Sequence, residues 1–204
     1  MVFSIRAKYS RMSFRWAVAL VFTLEILVTL WAIASYGWGL EGLQATTRFS
    51  GRLSLALFSI IFLFSERKPE IVQPVLSPKP YAVFAIAHGI HLGELLSFVW
   101  ISKVELIPYR LIGGFLAYVL IFAMPYVQHL RMAGELSKRK YENIHTVYIY
   151  YVWLIFFMSY LPRVMGRLPN VGGYYQEFVV LLAWVCMLLG IRIAQLLIPQ
   201  RTTR

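Results

Sequence analysis

Residues 81–101 read YAVFAIAHGIHLGELLSFVWI, a run in which Glu94 is the only acidic residue and no lysine or arginine occurs. A helix of about 20 residues rises about 30 Å, which matches the hydrocarbon core of a bilayer. The same run holds two histidines, His88 and His91, at three-residue spacing before Glu94. The stretch predicts a transmembrane helix that carries ionisable groups inside it.

The composition extends this prediction along the chain. Of its 204 residues, 59% are hydrophobic and 14% are charged, whereas about 25% of residues are charged in a typical soluble domain. We expect one transmembrane domain over 1–204 and no soluble domain. The fold class is an all-α, polytopic membrane helical bundle of about six transmembrane helices. The predicted spans are 16–37, 45–65, 81–101, 111–129, 142–162 and 174–198.

Basic residues lie in the connections between these spans and predict the orientation of the chain. Most of the 20 lysines and arginines fall on the side that holds both termini, so the positive-inside rule predicts cytoplasmic termini. Basic residues in this distribution predict a lipid bilayer, and no nucleic acid, as partner. The expected location is a bacterial inner membrane. Arg48 and Arg52 interrupt the second span, and a re-entrant segment there, leaving five spans, is the alternative.

The polar residues of the third span share one helix face. Positions 88, 91 and 94 drift by only about 60° per step at about 100° per residue. Ionisable groups in membrane helices usually face a partner, a cofactor or the bundle interior. Two interpretations are open: a helix-packing stripe of hydrogen-bonded imidazoles, or ligation of a metal or cofactor by neutral imidazole.

The number of candidate ligands narrows the choice of metal. The chain has four histidines and one cysteine, too few for a desaturase-type di-iron site and unlike a structural zinc site. Haem needs one axial histidine from each of two helices and an apolar envelope. The second ligand would be His145 in the fifth span. Helix rise puts His88, His91 and His145 at depths of roughly 10, 15 and 6 Å from the cytoplasmic rim of the membrane. These depths do not decide whether His88 or His91 is the ligand from the third span.

Three stretches resemble one membrane family. SGRLSLALFSIIFLF (50–64) is similar to the small-Gly-x-x-Ala-Leu second helix of the ferric reductase-like transmembrane domain family. IHLGELL (90–96) is similar to its third-helix Leu-His-Leu-x-x-Tyr-Leu motif, and IHTVYIYYVWLIF (144–156) is similar to its fifth-helix Leu-His-x-Leu-Val-Tyr motif. The resemblance covers about 45–165. Within the family it is closest to the haem-binding membrane subunits of periplasmic methionine sulfoxide reductase systems.

This resemblance implies a six-helix bundle that holds b-type haem between helices three and five and moves electrons across the membrane. Its ligand positions fall on His91 and His145, while His88 has no counterpart. Relatives with two haems carry a second histidine further along both helices. Here those places hold Met158 on helix five and Lys103, Val104 or Glu105 near the end of helix three. The resemblance therefore implies one haem b, toward the cytoplasmic side, with Met158 in the core.

Other polar groups have open roles. Glu25 in the first span is interpreted as a proton acceptor from a quinol, as a partner of Arg192, or as a protonated, hydrogen-bonded carboxyl. Glu94 either orients a ligand imidazole or bonds between helices. The basic run 138–140 faces haem propionates or anionic lipid. A cluster of aromatic residues on the fifth span is expected to pack between helices: Tyr148, Tyr150, Tyr151 and Trp153.

The first hypothesis is a single-haem, b-type electron-transfer protein, an oxidoreductase subunit whose iron is held by His91 and His145, with His88 as the alternative ligand. No flavin- or nicotinamide-binding segment is visible in the sequence. We therefore expect an electron-donating partner protein or a quinol, and a periplasmic or membrane redox partner as acceptor. The second hypothesis is a non-enzymatic membrane subunit or small transporter with a structural or proton-conducting histidine stripe.

Overall fold

The computed structural model describes residues 13–65, 79–103, 108–168 and 173–197. Those residues form six α-helices and no strand. The helices are α1 Phe14–Tyr36, α2 Leu40–Phe64, α3 Pro80–Ser102, α4 Pro108–Met132, α5 Lys138–Val164 and α6 Tyr175–Leu197. Each is long and apolar enough to cross a membrane. The chain is an integral membrane protein, and the predicted all-α bundle of six spans is confirmed.

Several residues used for the orientation lie outside the described residues. They are Arg6, Lys8, Arg11, Arg67, Lys68, Arg201 and Arg204. Val104 and Glu105, two of the places where relatives with two haems carry a histidine, also lie outside the described residues. The cytoplasmic location of both termini stays a prediction.

The second span is one continuous helix, which excludes the re-entrant alternative. It begins at Leu40 rather than at residue 45. Its two arginines are accommodated by neighbouring helices: Arg48 lies over the ring of Tyr36 at 5.4 Å, and Arg52 Nη2 is 2.7 Å from Glu177 Oε2. Ionisable groups placed inside a membrane helix in this way are paired rather than exposed to lipid.

Short caps set the ends of other helices. The hydroxyl of Ser137 accepts the main-chain N–H of Lys140 at 3.4 Å, so α5 begins at Lys138 rather than at residue 142. Gly37 ends α1 with φ +81°, a conformation that favours glycine. The chain then turns so tightly that a Cβ at Gly42 would collide with the carbonyl oxygen of Gly37.

Consecutive helices run in opposite directions, which gives the bundle two distinct ends. At the near end, where α1, α3 and α5 begin, Lys79 lies over the ring of Phe14 at 5.7 Å. At the far end, where α2, α4 and α6 begin, Arg52 pairs with Glu177. The predicted orientation puts the near end in the cytoplasm and the far end on the opposite side of the membrane.

Helix α2 lies at the centre of the bundle. It packs against α1, α3, α5 and α6, whereas α1 packs against α2 and α3 and does not contact α6. The buried side chains of its first half are small, among them Ala45, Thr46, Thr47 and Ser50. Small residues allow helices to approach closely in a membrane, so α3 and its histidines pack directly against α2.

Aromatic side chains hold α5 to the other helices, as the sequence predicted. Trp153 Nε1 donates to the carbonyl of Val185 in α6 at 3.0 Å, and the hydroxyl of Tyr151 donates to the carbonyl of Gly113 in α4 at 3.1 Å. Tyr148 is 1% exposed and packs edge-on against Tyr81 of α3. The contact of Tyr148 with Tyr81 sets the height of α5 relative to α3, on which the geometry of the site depends.

Candidate cofactor-binding site

A cavity of about 570 Å³ lies between α2, α3, α4, α5 and α6 in the half of the bundle toward the far end. We call it the central cavity. Its volume falls within the range of roughly 300–1,000 Å³ that is usual for small-molecule and cofactor sites. Both predicted histidines of α3 line it. The other polar side chains that line it are Gln44, Thr47, Arg48, Arg52, Tyr118, Ser159, Tyr160 and Arg163.

His88 is held between aromatic rings in the wall of this cavity. Its imidazole stacks on Phe84, one turn earlier on α3, with ring centroids 5.3 Å apart, and on Tyr118 of α4 at 4.9 Å. The edge of Phe156 on α5 lies 6.0 Å away. Its Nδ1 atom is buried and has no hydrogen-bond partner. The stacking fixes the plane of the ring while leaving this nitrogen unpaired.

His91 packs against α2. Its imidazole lies close to the main chain of Thr47, and the absence of a side chain at Gly51 makes room for the ring, because a Cβ there would lie 3.0 Å from His91 Cε1. Its buried Nδ1 has no hydrogen-bond partner. A buried imidazole that is held against a neighbouring helix and keeps an unpaired nitrogen has the atom that a metal ion requires from a histidine.

Three arginines line the far part of the central cavity. Arg52 is paired with Glu177, Arg163 donates to the carbonyl of Ser159 and lies over a phenylalanine ring of α6, and Arg48 lies over a tyrosine ring of α1. Three guanidinium groups beside one carboxylate leave a positive charge in a low-dielectric setting. Guanidinium groups bind carboxylates and phosphates through paired hydrogen bonds, so this part of the cavity suits an anionic group.

These arginines are not among the site residues that the sequence predicted. Arg48 and Arg52 were noted there only as charged residues that interrupt the second span. Their spacing carried a usable signal, because positions 44, 48 and 52 lie on one helix face. The same spacing relates Ser159 to Arg163 near the end of α5.

The structure does not bring His145 into the central cavity. This side chain is 4% exposed, stacks on Tyr141 at 5.8 Å and meets the edge of the Tyr81 ring at 5.7 Å, near the near end. Tyr81 precedes His88 by about 10 Å of helix rise and His91 by about 15 Å. His88 and His91 themselves are together, with ring centroids 5.3 Å apart. Ligation by the pair His91 and His145 stays a prediction.

The location of the central cavity also bears on the other predicted groups. Lys138, Arg139 and Lys140 are exposed at the near end and do not line the cavity, which leaves anionic lipid as the partner that suits them. Met158 is 50% exposed on the outside of the bundle, so its expected place in the core is wrong. Lys103, one of the places where relatives with two haems carry a histidine, lies just past the end of α3 with φ +52° and does not line the cavity.

The suggested pair of Glu25 with Arg192 is not formed, because α1 does not contact α6. Arg192 Nη1 instead donates to the carbonyl of Phe62 at 3.0 Å. Glu25 is buried beside Ser50 of α2.

No group of three or more His, Cys, Asp or Glu side chains within the described ranges is arranged to hold a bare metal ion. Haem makes a smaller demand on the protein, because the porphyrin supplies four ligands and the chain supplies one or two. The unpaired nitrogens of His88 and His91, the volume of the central cavity and its arginines fit such a group. A comparison with protein-family models, curated proteins and solved structures found no match to this chain.

Proposed function

We propose that the chain is a b-type haem protein of the membrane that transfers electrons, with one haem in the central cavity. The observation that carries this proposal is a cavity of about 570 Å³ inside a transmembrane bundle, lined by two imidazoles with unpaired Nδ1 atoms and by three guanidinium groups. Haem b combines a large apolar ring with two carboxylates. When bound, it supplies one-electron redox chemistry.

Helix α3 supplies the axial ligand. His91 is the proposed residue, because Thr47 and Gly51 hold its ring against α2 and because the resemblance places a ligand there. His88 is the alternative, since it lines the same cavity one turn earlier. Either histidine would bind the iron as the neutral imidazole.

The remaining walls of the cavity divide into an apolar and a charged part. Val152, Ile155 and Phe156 of α5, with Leu181 of α6, would pack against the ring and exclude water. The three arginines at the far end would bind the propionates. Apolar surroundings and the nearby positive charge both act on the redox potential of a bound iron.

His145 provides a sharp test of where the haem lies. With the haem in the central cavity, His91→Ala abolishes the visible spectrum of the purified protein, and His145→Ala retains it because that side chain lies outside the cavity. Loss of the haem in His145→Ala would refute the central cavity and favour the pair implied by the resemblance. Loss in His88→Ala alone would refute the assignment of the ligand to His91.

We further propose that the protein resides in a bacterial inner membrane. Its electrons would come from a partner protein or a quinol and pass to a periplasmic or membrane redox partner. The central cavity lies toward the end that the positive-inside rule assigns to the non-cytoplasmic side, which is opposite to the cytoplasmic side that the resemblance implies for the haem. An acceptor on the non-cytoplasmic side would approach a haem in this cavity. The alternative function, a non-enzymatic subunit or small transporter, predicts a colourless preparation from haem-replete cells.

A further inference from the structure

Three polar side chains from different helices meet inside the bundle, outside the central cavity. Glu25 of α1 is 4% exposed and Ser50 of α2 is fully buried, while Glu94 of α3 is partly buried. The hydroxyl of Ser50 lies close enough to interact with both carboxyls, and the two carboxyls also interact with each other. We call these residues the carboxyl cluster.

The cluster has unused hydrogen-bonding capacity. Both side-chain oxygens of Glu25, the hydroxyl of Ser50 and Oε2 of Glu94 are buried and make no hydrogen bond of normal geometry. Buried polar atoms are normally paired, and an unpaired one indicates a bound group or a functional demand. Ser50 is therefore an unpartnered buried hydroxyl placed between two carboxyls.

The neighbouring groups do not neutralise the cluster. On α2, the hydroxyls of Thr46 and Thr47 each donate to a main-chain carbonyl of their own helix at 3.0 Å. On α3, the imidazole of His91 lies close to the main chain of Thr47 and lines the central cavity, not the second cavity. Within the described residues, the polar groups that act on Glu25 and Glu94 are Ser50 and each other. Two adjacent carboxylates without a cation are costly in a low-dielectric interior.

A second cavity of about 500 Å³ leads from the far end of the bundle to this cluster. It lies between α1, α2 and α3 and is lined by Thr29, Trp38, Thr46 and Glu94, together with apolar side chains. Glu94 thus borders both the second cavity and the cluster, whereas the buried Glu25 does not line this cavity. Water entering from the far end would meet Glu94 first.

We propose that Glu25 and Glu94, with Ser50 between them, form a proton-binding site that exchanges protons with the far side of the membrane through the second cavity. A hydronium ion in the cavity gives a proton to a carboxylate oxygen of Glu94 and is left as water. The Ser50 hydroxyl accepts that proton while its own proton passes to Glu25, since a hydroxyl both accepts and donates. No electron is transferred, and the site exists whether or not haem is bound.

Infrared spectroscopy of the full-length protein in lipid nanodiscs tests this site directly. At neutral pH we expect a carboxylic-acid C=O band that shifts in D₂O and that Glu25→Gln removes. The matched control is Glu41→Gln, which changes an exposed carboxylate at the start of α2 and leaves the band intact. If neither Glu25→Gln nor Glu94→Gln changes a carboxylic-acid band, the pair is ionised and the proposal is refuted.

The route is tested by the rate at which the Glu25 band responds to D₂O. Glu94→Gln and Ser50→Ala should each slow this exchange by tenfold or more, because each removes a step between the second cavity and Glu25; both substitutions are small enough to preserve the fold. Unchanged exchange in both variants would refute the route.

Loss of the carboxylic-acid band on replacing choline chloride with sodium chloride would refute the proposal, because it would show that sodium, not a proton, occupies the site. Because the readout involves no haem, its failure leaves the haem proposal standing, and the reverse also holds.

Discussion

The contact between His91 and Gly51 allows the proposed ligand to be tested without removing it. Gly51→Ala places a methyl group 3.0 Å from Cε1 of His91 and 3.4 Å from Nε2, whereas carbon atoms in contact are normally about 3.5–4.0 Å apart. The ring must therefore move by about 0.5 Å or turn. In the haem-free protein the ring can shift toward the central cavity that it lines, but a ring bound to iron is fixed. The haem-bound state is therefore destabilised relative to the haem-free state by about 1–3 kcal/mol.

This destabilisation corresponds to a haem affinity about 5- to 150-fold weaker than that of the unaltered chain. Titration of haem into the solubilised haem-free protein, followed at the Soret band, measures the difference. The matched control is Gly93→Ala on α3, where an added Cβ meets nothing within 4 Å, and we expect it to bind haem normally. Normal binding by Gly51→Ala would show that His91 is not the ligand in this position. An equal loss in both variants would attribute the effect to the glycines in general.

Two further predictions concern the stability of the bundle, measured by thermal unfolding in detergent. Gly42→Ala should destabilise the fold by about 1–3 kcal/mol because its Cβ would collide with the Gly37 carbonyl. The control is Gly190→Ala, where an added Cβ meets nothing within 4 Å, and it should cost less than about 0.5 kcal/mol. Equal losses of stability in the two variants would contradict the tight turn between α1 and α2. Arg52→Gln should cost up to about 1 kcal/mol, as a partly exposed ion pair does. Adding Glu177→Gln should then cost little more, and fully additive losses would show that the pair contributes nothing.

The helices were predictable because a chain in lipid must satisfy its main-chain polar groups within each span. The predicted spans 16–37, 81–101 and 174–198 match α1, α3 and α6 within two residues at either end. The prediction was less accurate where polar residues extend a helix beyond its apolar part. Thus α2 and α5 begin earlier than predicted, because arginines inside α2 find partners and a serine cap starts α5.

The site was only partly predictable, because a sequence shows which residues share a helix face but not how high they lie against a neighbouring helix. The spacing of His88 and His91 correctly predicted that their rings lie together. The height of α5 relative to α3 depends instead on aromatic contacts between the helices, and these place His145 beside Tyr81. The same packing brings Arg163 of α5 to the arginines of α2.

The haem content of protein purified from haem-replete cells tests the central claim most directly. The account predicts about one haem b per chain in the unaltered protein, with a reduced-minus-oxidised difference spectrum typical of haem. It predicts none in the double variant His88→Ala, His91→Ala, in which the central cavity has lost both imidazoles. A colourless preparation of the unaltered protein, or a double variant that keeps its haem, would contradict it.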